Sequence, residues 1–264
     1  PGMEPGPAPR RRPGPADVGR TALALAAIAP GLAAGAWRLL ATRDRRSAID
    51  RAIEVWGELG TRAAGIELAI TGAERLRLRP AVFVFNHQSG VDPILICALL
   101  RGGFTGVAKQ EVRRHPVLGP AFAFAGTVFV DRDDREQAVG ALAEAVATLR
   151  SGLAVAIAPE GTRSRGDALG PFKKGGFRLA MAAGVPIVPI VIHDAWRVLP
   201  RKAWVMTAAT VHVTVLAPVP TADWTLAELD ARIAGVRERM AAALAQGAGA
   251  GDPPAPSWGS LDFI

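Results

Sequence analysis

Four histidines and one cysteine are spread along a chain of 264 residues, and one histidine stands in a setting suited to proton transfer. The segment NHQSGVDP at 86–93 puts His87 directly after the apolar run 81–85 and five residues before Asp92. A histidine at the carboxyl end of a strand, in a loop carrying Gly90, is where open α/β sheets present reactive groups. Asp92 can turn back to hold one ring nitrogen and leave the other free to accept a proton, which is general-base chemistry. The pair Asp92-Pro93 is also a favourable helix start, an N-cap followed by proline at the first helical position, and that accounts for both residues without any chemistry. The two roles are compatible, since one carboxylate oxygen can cap while the other faces His87.

Two further strand ends carry charge. The run 153–158 ends in PEGTRSR at 159–165, which sets Arg163, Arg165 and a hydroxyl around Gly161. Arginine suits phosphate because its planar fork donates paired hydrogen bonds. The run 127–130 ends in DRDDR at 131–135, polar immediately after an apolar stretch. Each arginine alone is best explained as a solvated surface charge. A histidine, arginines and a lysine on several strand ends of one sheet point instead to a base beside a phosphate-binding patch. No serine sits in a G-x-S-x-G elbow, so a covalent serine intermediate is not indicated. Cys97, His87, His115, His193 and His212 show no metal-ligand spacing, and a single cysteine excludes an intrachain disulfide. No metal and no cofactor is expected.

The elements that must position these groups follow from periodicity. Runs 81–85, 127–130, 153–158, 187–192 and 211–216 read as strands, most of them apolar enough to be covered on both faces. Between them, 134–150 has Val139, Leu142, Val146 and Leu149 at helical spacing, with Asp134 as N-cap and Gln137 three residues on. Thr225 and Glu228 form a second capping-box pattern, ahead of a helix face that includes Leu226, Leu229, Ile233 and Met240. The order of elements predicts an α/β fold with a mixed central sheet flanked by helices.

Bulk properties place that domain near a membrane. Half of the residues are hydrophobic and the mean hydropathy is +0.22, yet no uncharged run supplies the roughly 20 strongly apolar residues of a secure span. The net charge of +7 suits an anionic lipid surface or nucleic acid. With no tyrosine and no basic-aromatic platform, nucleic acid is not expected as a partner. Residues 1–20 read as a disordered basic arm and 247–264 as a flexible tail. Residues 21–60 read as a membrane-associated helical segment: 21–37 is uncharged but interrupted by Pro30 and Gly31, which favours a helical hairpin or interfacial helix over a straight span. A secretory signal with Ala34-Gly35-Ala36 as cleavage site is the rival reading. Within 47–59, Ile49, Ala52, Ile53, Trp56 and Leu59 share one face, made either for the domain or for the bilayer. The remainder, 61–246, is the expected catalytic domain.

Taken together, the motifs resemble the glycerolipid acyltransferase family of the 1-acylglycerol-3-phosphate acyltransferase type, over about residues 80–220. The resemblance rests on four blocks in order: NHQSGVDP at 86–93, GTVFVDR at 126–132, PEGTRS at 159–164 and VPIVPI at 185–190. Some features also look like acyltransferase domains fused behind a haloacid-dehalogenase-type hydrolase. The resemblance implies transfer of a fatty acyl group from acyl-CoA or acyl carrier protein, as co-substrate, to the sn-2 hydroxyl of a lysophospholipid acceptor, 1-acylglycerol 3-phosphate, giving phosphatidate. Glycerol 3-phosphate or another lysophospholipid would use the same residues, and the rivals are an acyl-thioester hydrolase and a non-catalytic basic membrane-binding protein. It further implies that His87 and Asp92 are catalytic, that Lys109, Arg132, Glu160, Gly161, Thr162 and Arg163 bind substrate, and that the enzyme works on the membrane lipid bilayer at the cytoplasmic face of the cell membrane.

Overall fold

The computed structural model describes residues 13–116, 118–131, 134–164 and 168–247. Its sheet is built from short apolar strands whose alternate side chains enter two different cores, as burial on both faces requires. The strands are β1 (Ile66–Thr71), β2 (Val82–Phe85), β3 (Phe104–Lys109), β4 (Val128–Val130), β5 (Ala154–Ile157), β6 (Ile187–Ile192) and β7 (Ala209–Val215), in the order β1-β7-β6-β2-β5-β3-β4. Strands β6, β2, β5, β3 and β4 are mutually parallel, whereas β7 runs antiparallel to β6 and carries β1 parallel to itself. The carboxyl ends of the five parallel strands therefore share one edge. Phe83, Ile190 and Val211 pack under α3 (Arg45–Ala64) and α4 (Asp92–Leu100) with Ile53, Trp56 and Leu95. Val82, Val84 and Val155 face the other way, towards Leu149 of α6 (Arg135–Arg150), Phe177 of α7 (Gly175–Ala183) and Met240 of α9 (Leu229–Gln246). Two short helices, α5 (Leu118–Phe124) and α8 (Ala195–Val198), lie in the connections.

Several elements differ from the sequence reading. β1 and β3 were not expected: in β1 the polar Glu67 and Thr71 break the apolar run, and in β3 the small Gly106 and Ala108 weaken it. α9 begins at Leu229 and not at the Thr225 box, because Trp224 is buried and its N–H closes a turn on Thr221 O (3.1 Å). Leu226 is consequently exposed.

At the amino end, α1 (Pro15–Ala26) starts inside the stretch expected to be disordered. Pro15 occupies the first helical position and Asp17 accepts the Gly14 N–H (2.8 Å), which caps the helix. The rest of that arm, 1–12, and the tail from 248 lie outside the described residues. α1 continues into α2 (Ile28–Thr42) through Ala27, which keeps right-handed helical angles (φ −59°, ψ −16°), so no hairpin forms within 21–37. Pro30 lacks the N–H that would meet Ala26 O, but the i→i−4 bonds on either side, Ala27 N–H to Leu23 O (2.9 Å) and Gly31 N–H to Ala27 O (3.3 Å), carry the helix through the junction. Together Pro15–Thr42 is long and apolar enough to cross a membrane by length and composition. The reversal comes later, at Arg43 and Asp44, where Asp44 caps α3 by accepting the Arg46 and Ser47 N–H groups (2.9 and 3.2 Å). Of that helix face, Ile49, Ala52, Ile53 and Trp56 are buried in the domain, whereas Leu59 is exposed.

α3 reaches α4 through a backbone-to-backbone approach at Gly57. A Cβ there would stand 2.5 Å from Ala98 N and 2.7 Å from Cys97 C. Helix propensity alone favours alanine over glycine, so Gly57→Ala isolates the packing effect. It should lower stability by about 1–3 kcal/mol, the usual cost of overpacking, readable as a fall in the thermal midpoint.

Candidate active site

The candidate side chains among the described residues stand at the shared carboxyl edge of the parallel strands. β2 delivers Asn86 and His87, and the Asn86 amide fixes the exit of the strand by pairing with β6: its Nδ2 donates to Ile192 O (2.9 Å) and its Oδ1 accepts Ile192 N–H (2.7 Å). His87 then meets Asp92, with Nδ1 2.5 Å from Oδ2. The same oxygen accepts the N–H groups of Gln88 (2.8 Å) and Ser89 (3.0 Å). With two backbone donors already on Oδ2, the remaining contact suits a third donor, the His87 tautomer with its proton on Nδ1, which leaves Nε2 to accept. The Asp92 side chain is fully buried and that of His87 is 28% exposed, which leaves the ring reachable from outside.

The helix-cap reading of Asp92 is not realised. The N-cap of α4 is Val91, Asp92 is already helical, and its carboxylate folds back over its own loop. Asp92 Oδ1 makes no hydrogen bond among the described residues.

Glu160 ties the loop after β5 to the His87 loop. It is buried, its Oε1 accepts the His87 N–H (3.1 Å), and its Oε2 accepts Ser164 Oγ–H (2.8 Å) and the Gly170 N–H (2.8 Å). The Ser164 N–H in turn donates to His87 O (2.7 Å). Both backbone polar groups of His87 are thus held by the loop that follows β5. Arg237 of α9 extends the brace by donating to Leu169 O (2.6 Å) and Gly170 O (2.9 Å). Ser164 lies inside the PEGTRS block and was readable as part of the site; nothing in the local sequence marks Arg237.

Of the other expected residues, Gly161 turns the loop with a left-handed φ of +69° and Thr162 is exposed. Arg163 is half-buried beside the His87 loop: a Cβ on Gly90 would lie 3.8 Å from its Nη1 and 2.9 Å from Leu199 Cδ2. Lys109 is exposed at the end of β3, two strands from β2, roughly 10 Å by sheet spacing. It pairs in register with Val130, just before the segment containing Arg132. Arg132 itself lies outside the described residues.

The remaining histidines serve elsewhere. His193 is buried with Nε2 near Thr214 Oγ1 (3.1 Å), burial pushing its pKa below the ordinary value, and His115 Nδ1 accepts the Leu118 N–H (3.1 Å).

Beside the loop lies an apolar cavity of about 140 Å³, bounded by Phe85 and Pro93 on either side of the catalytic segment and closed by Trp56, Ile96, Phe104 and Phe122. Gly106 and Ala108 of β3 line it, and their small side chains keep it open. Cys97 also borders it, and burial pushes the thiol up to about 12. At neutral pH that thiol is not a nucleophile. Native protein should therefore resist iodoacetamide and react only after unfolding; rapid stoichiometric labelling of the folded protein would contradict this placement.

The region that carries this geometry is similar to known proteins. The family model described as Acyltransferase matches residues 67–193, which carry His87, Asp92 and the PEGTRS loop. The 1-acyl-sn-glycerol-3-phosphate acyltransferase of Limnanthes douglasii is 36% identical over 170 residues, covering 63% of this chain and 59% of that protein. The 1-acyl-sn-glycerol-3-phosphate acyltransferase alpha of Homo sapiens is 35% identical over 178 residues, covering 67% and 63%. The chain thus spans about three fifths of the length of these curated relatives. Among solved structures, the 1-acyl-sn-glycerophosphate acyltransferase PlsC from Thermotoga maritima superimposes with a TM-score of 0.72 at 26% identity, covering 87% of this chain and 95% of that one. Residues 67–193, which hold His87, Asp92 and the PEGTRS loop, thus carry an acyltransferase-family domain, and the chain is similar there in sequence and in fold to 1-acylglycerol-3-phosphate acyltransferases.

Proposed function

We propose that this chain transfers a fatty acyl group from a thioester, acyl-CoA or acyl carrier protein, to the sn-2 hydroxyl of 1-acylglycerol 3-phosphate, forming phosphatidate. The observation that carries the reading is the buried Asp92 carboxylate holding His87 with Nε2 free, beside an apolar cavity and a half-buried arginine. Nε2 takes the proton of the acceptor hydroxyl as its oxygen bonds to the thioester carbonyl carbon. The imidazolium is stabilised by Asp92, and collapse of the tetrahedral intermediate breaks the carbon–sulfur bond, the thiolate taking the proton back from Nε2. No covalent acyl-enzyme is needed. Arg163 and Lys109, with Arg132, supply cations for the acceptor's phosphate, and Gly161 and Thr162 shape the turn that presents Arg163. Glu160 fixes the His87 backbone. The cavity under α3 takes the proximal part of an acyl chain.

The acceptor is delivered from a membrane. Leu23, Leu25, Trp37 and Leu40 leave apolar side chains exposed along α1 and α2, which suits a bilayer surface. A cytosolic donor puts the site at the cytoplasmic face of the cell membrane. An acceptor panel tests the phosphate requirement: 1-acylglycerol 3-phosphate, glycerol 3-phosphate, a lysophospholipid with a headgroup, and monoacylglycerol, each with acyl-CoA and with acyl carrier protein, read by mass spectrometry. The free phosphomonoester acceptor should dominate; equal use of monoacylglycerol would count against the arginine assignment.

A further inference from the structure

The most exposed large apolar side chain of the described residues is not in the N-terminal helices. Trp204 is 90% exposed and lies in the connection between α8 and β7. That connection is firmly based. Thr207 N–H donates to Val198 O (2.8 Å) and Thr207 Oγ–H to Arg197 O (2.7 Å), closing a loop over 198–207. On one side, Leu199 O accepts Ser89 Oγ–H (2.9 Å) from the catalytic loop. On the other, the buried Met206 donates its N–H to Thr21 Oγ1 of α1 (2.7 Å). Between these anchors, Ala203 N–H bonds Pro200 O (2.9 Å) and closes a turn whose corner is Lys202 at φ +67°. A lysine in the left-handed region is strained where glycine would not be. The turn therefore holds two exposed cations, Arg201 and Lys202, next to an exposed tryptophan.

That composition has a physical match. Tryptophan prefers the headgroup depth of a bilayer, where its ring is half buried and its N–H remains wet. Adjacent lysine and arginine are drawn to lipid phosphates on an anionic leaflet. Leu23 and Leu25 of α1, the helix to which the loop is tied through Thr21, are exposed as well.

We infer that the turn 200–204 is a second membrane-docking element, with Trp204 at headgroup depth and Arg201 and Lys202 against anionic phosphates, holding the His87 loop over a lipid surface. The binding itself stands apart from the acyl-transfer reading; its effect on turnover rests on that reading.

The test uses the full chain with two variants, Trp204→Ala and Lys202→Gly. The first removes a side chain that touches little, and the second removes a charge while relieving the strained backbone, so neither should unfold the protein. Co-flotation is measured with vesicles of phosphatidylcholine containing phosphatidylglycerol and with phosphatidylcholine alone. Trp204→Ala should weaken partition on both compositions. Lys202→Gly should weaken it roughly fivefold on the anionic vesicles only, the difference vanishing at high salt. Turnover of a short-chain acceptor kept monomeric should be unchanged in both variants, while turnover of vesicle-borne acceptor falls with partition. Unchanged partition of both variants overturns the inference. So does a Trp204→Ala defect seen only with an acidic acyl carrier protein as donor, which would assign the turn to a protein partner. Weakened partition in a wild-type background that transfers no acyl group would support the docking and defeat the function proposed above.

Discussion

Replacing His87 with alanine should lower kcat by about 10²–10⁴-fold, the usual contribution of a positioned general base, equivalent to roughly 3–5 kcal/mol of barrier. The fold should survive, because Asp92 Oδ2 keeps the N–H groups of Gln88 and Ser89 and the His87 backbone keeps Glu160 and Ser164. Steady-state kinetics alongside a thermal melt separate the two effects. Near-wild-type turnover in a folded His87→Ala protein would remove the base from the account.

Asp92→Asn is the second large effect, and it discriminates between chemistry and capping. Asparagine is as good an N-cap as aspartate, so a purely structural Asp92 would tolerate the change. In the structure Oδ2 takes three donors, His87 Nδ1–H and two backbone N–H groups, in a fully buried position. An amide offers a neutral oxygen there and no longer stabilises the imidazolium. A loss of about 10²–10⁴ in kcat is expected, the size seen when a triad carboxylate becomes an amide. Stability should fall by about 2 kcal/mol, since hydrogen bonds to a charged group weaken to neutral ones. A variant with full stability and full activity would restore the capping explanation.

How much of this was readable in the sequence depends on distance along the chain. His87 and Asp92 are five residues apart, and their pairing could be proposed from spacing; which of two roles Asp92 takes required knowing that α4 starts one residue earlier, at its own position. The parallel strands were legible because both their faces are apolar. β1 was not, because it sits at the sheet edge with Glu67 on its outer side, and β3 was not, because its small residues border the cavity. Gln137 shows a subtler miss. Its N–H meets Asp134 Oδ1 (3.0 Å) as the capping pattern implies, but its side chain reaches instead to Asp131 N (2.6 Å) and Phe129 O (2.8 Å), ordering the exit of β4. The hydrogen-bond partners of Glu160 are not legible in the sequence, since residues 87 and 170 are brought to it only by the fold. The tie from Ser89 to Leu199 spans 110 residues and leaves no local trace.

The organisation that emerges is a histidine whose every polar attachment is fixed by a different element: its strand by Asn86 and β6, its backbone by Glu160 and Ser164, its ring by Asp92. Such fixing matters because general-base catalysis depends on geometry before pKa. The same Nε2 would activate water if a hydroxyl acceptor were not held against it, so the acceptor's cations decide between transfer and hydrolysis. The most direct measurement is product analysis with purified protein, labelled acyl-CoA and 1-acylglycerol 3-phosphate in vesicles. The account predicts labelled phosphatidate from the wild-type protein, with little free fatty acid, and neither product above background from His87→Ala. Labelled fatty acid as the main product, or phosphatidate formed equally by His87→Ala, would contradict it.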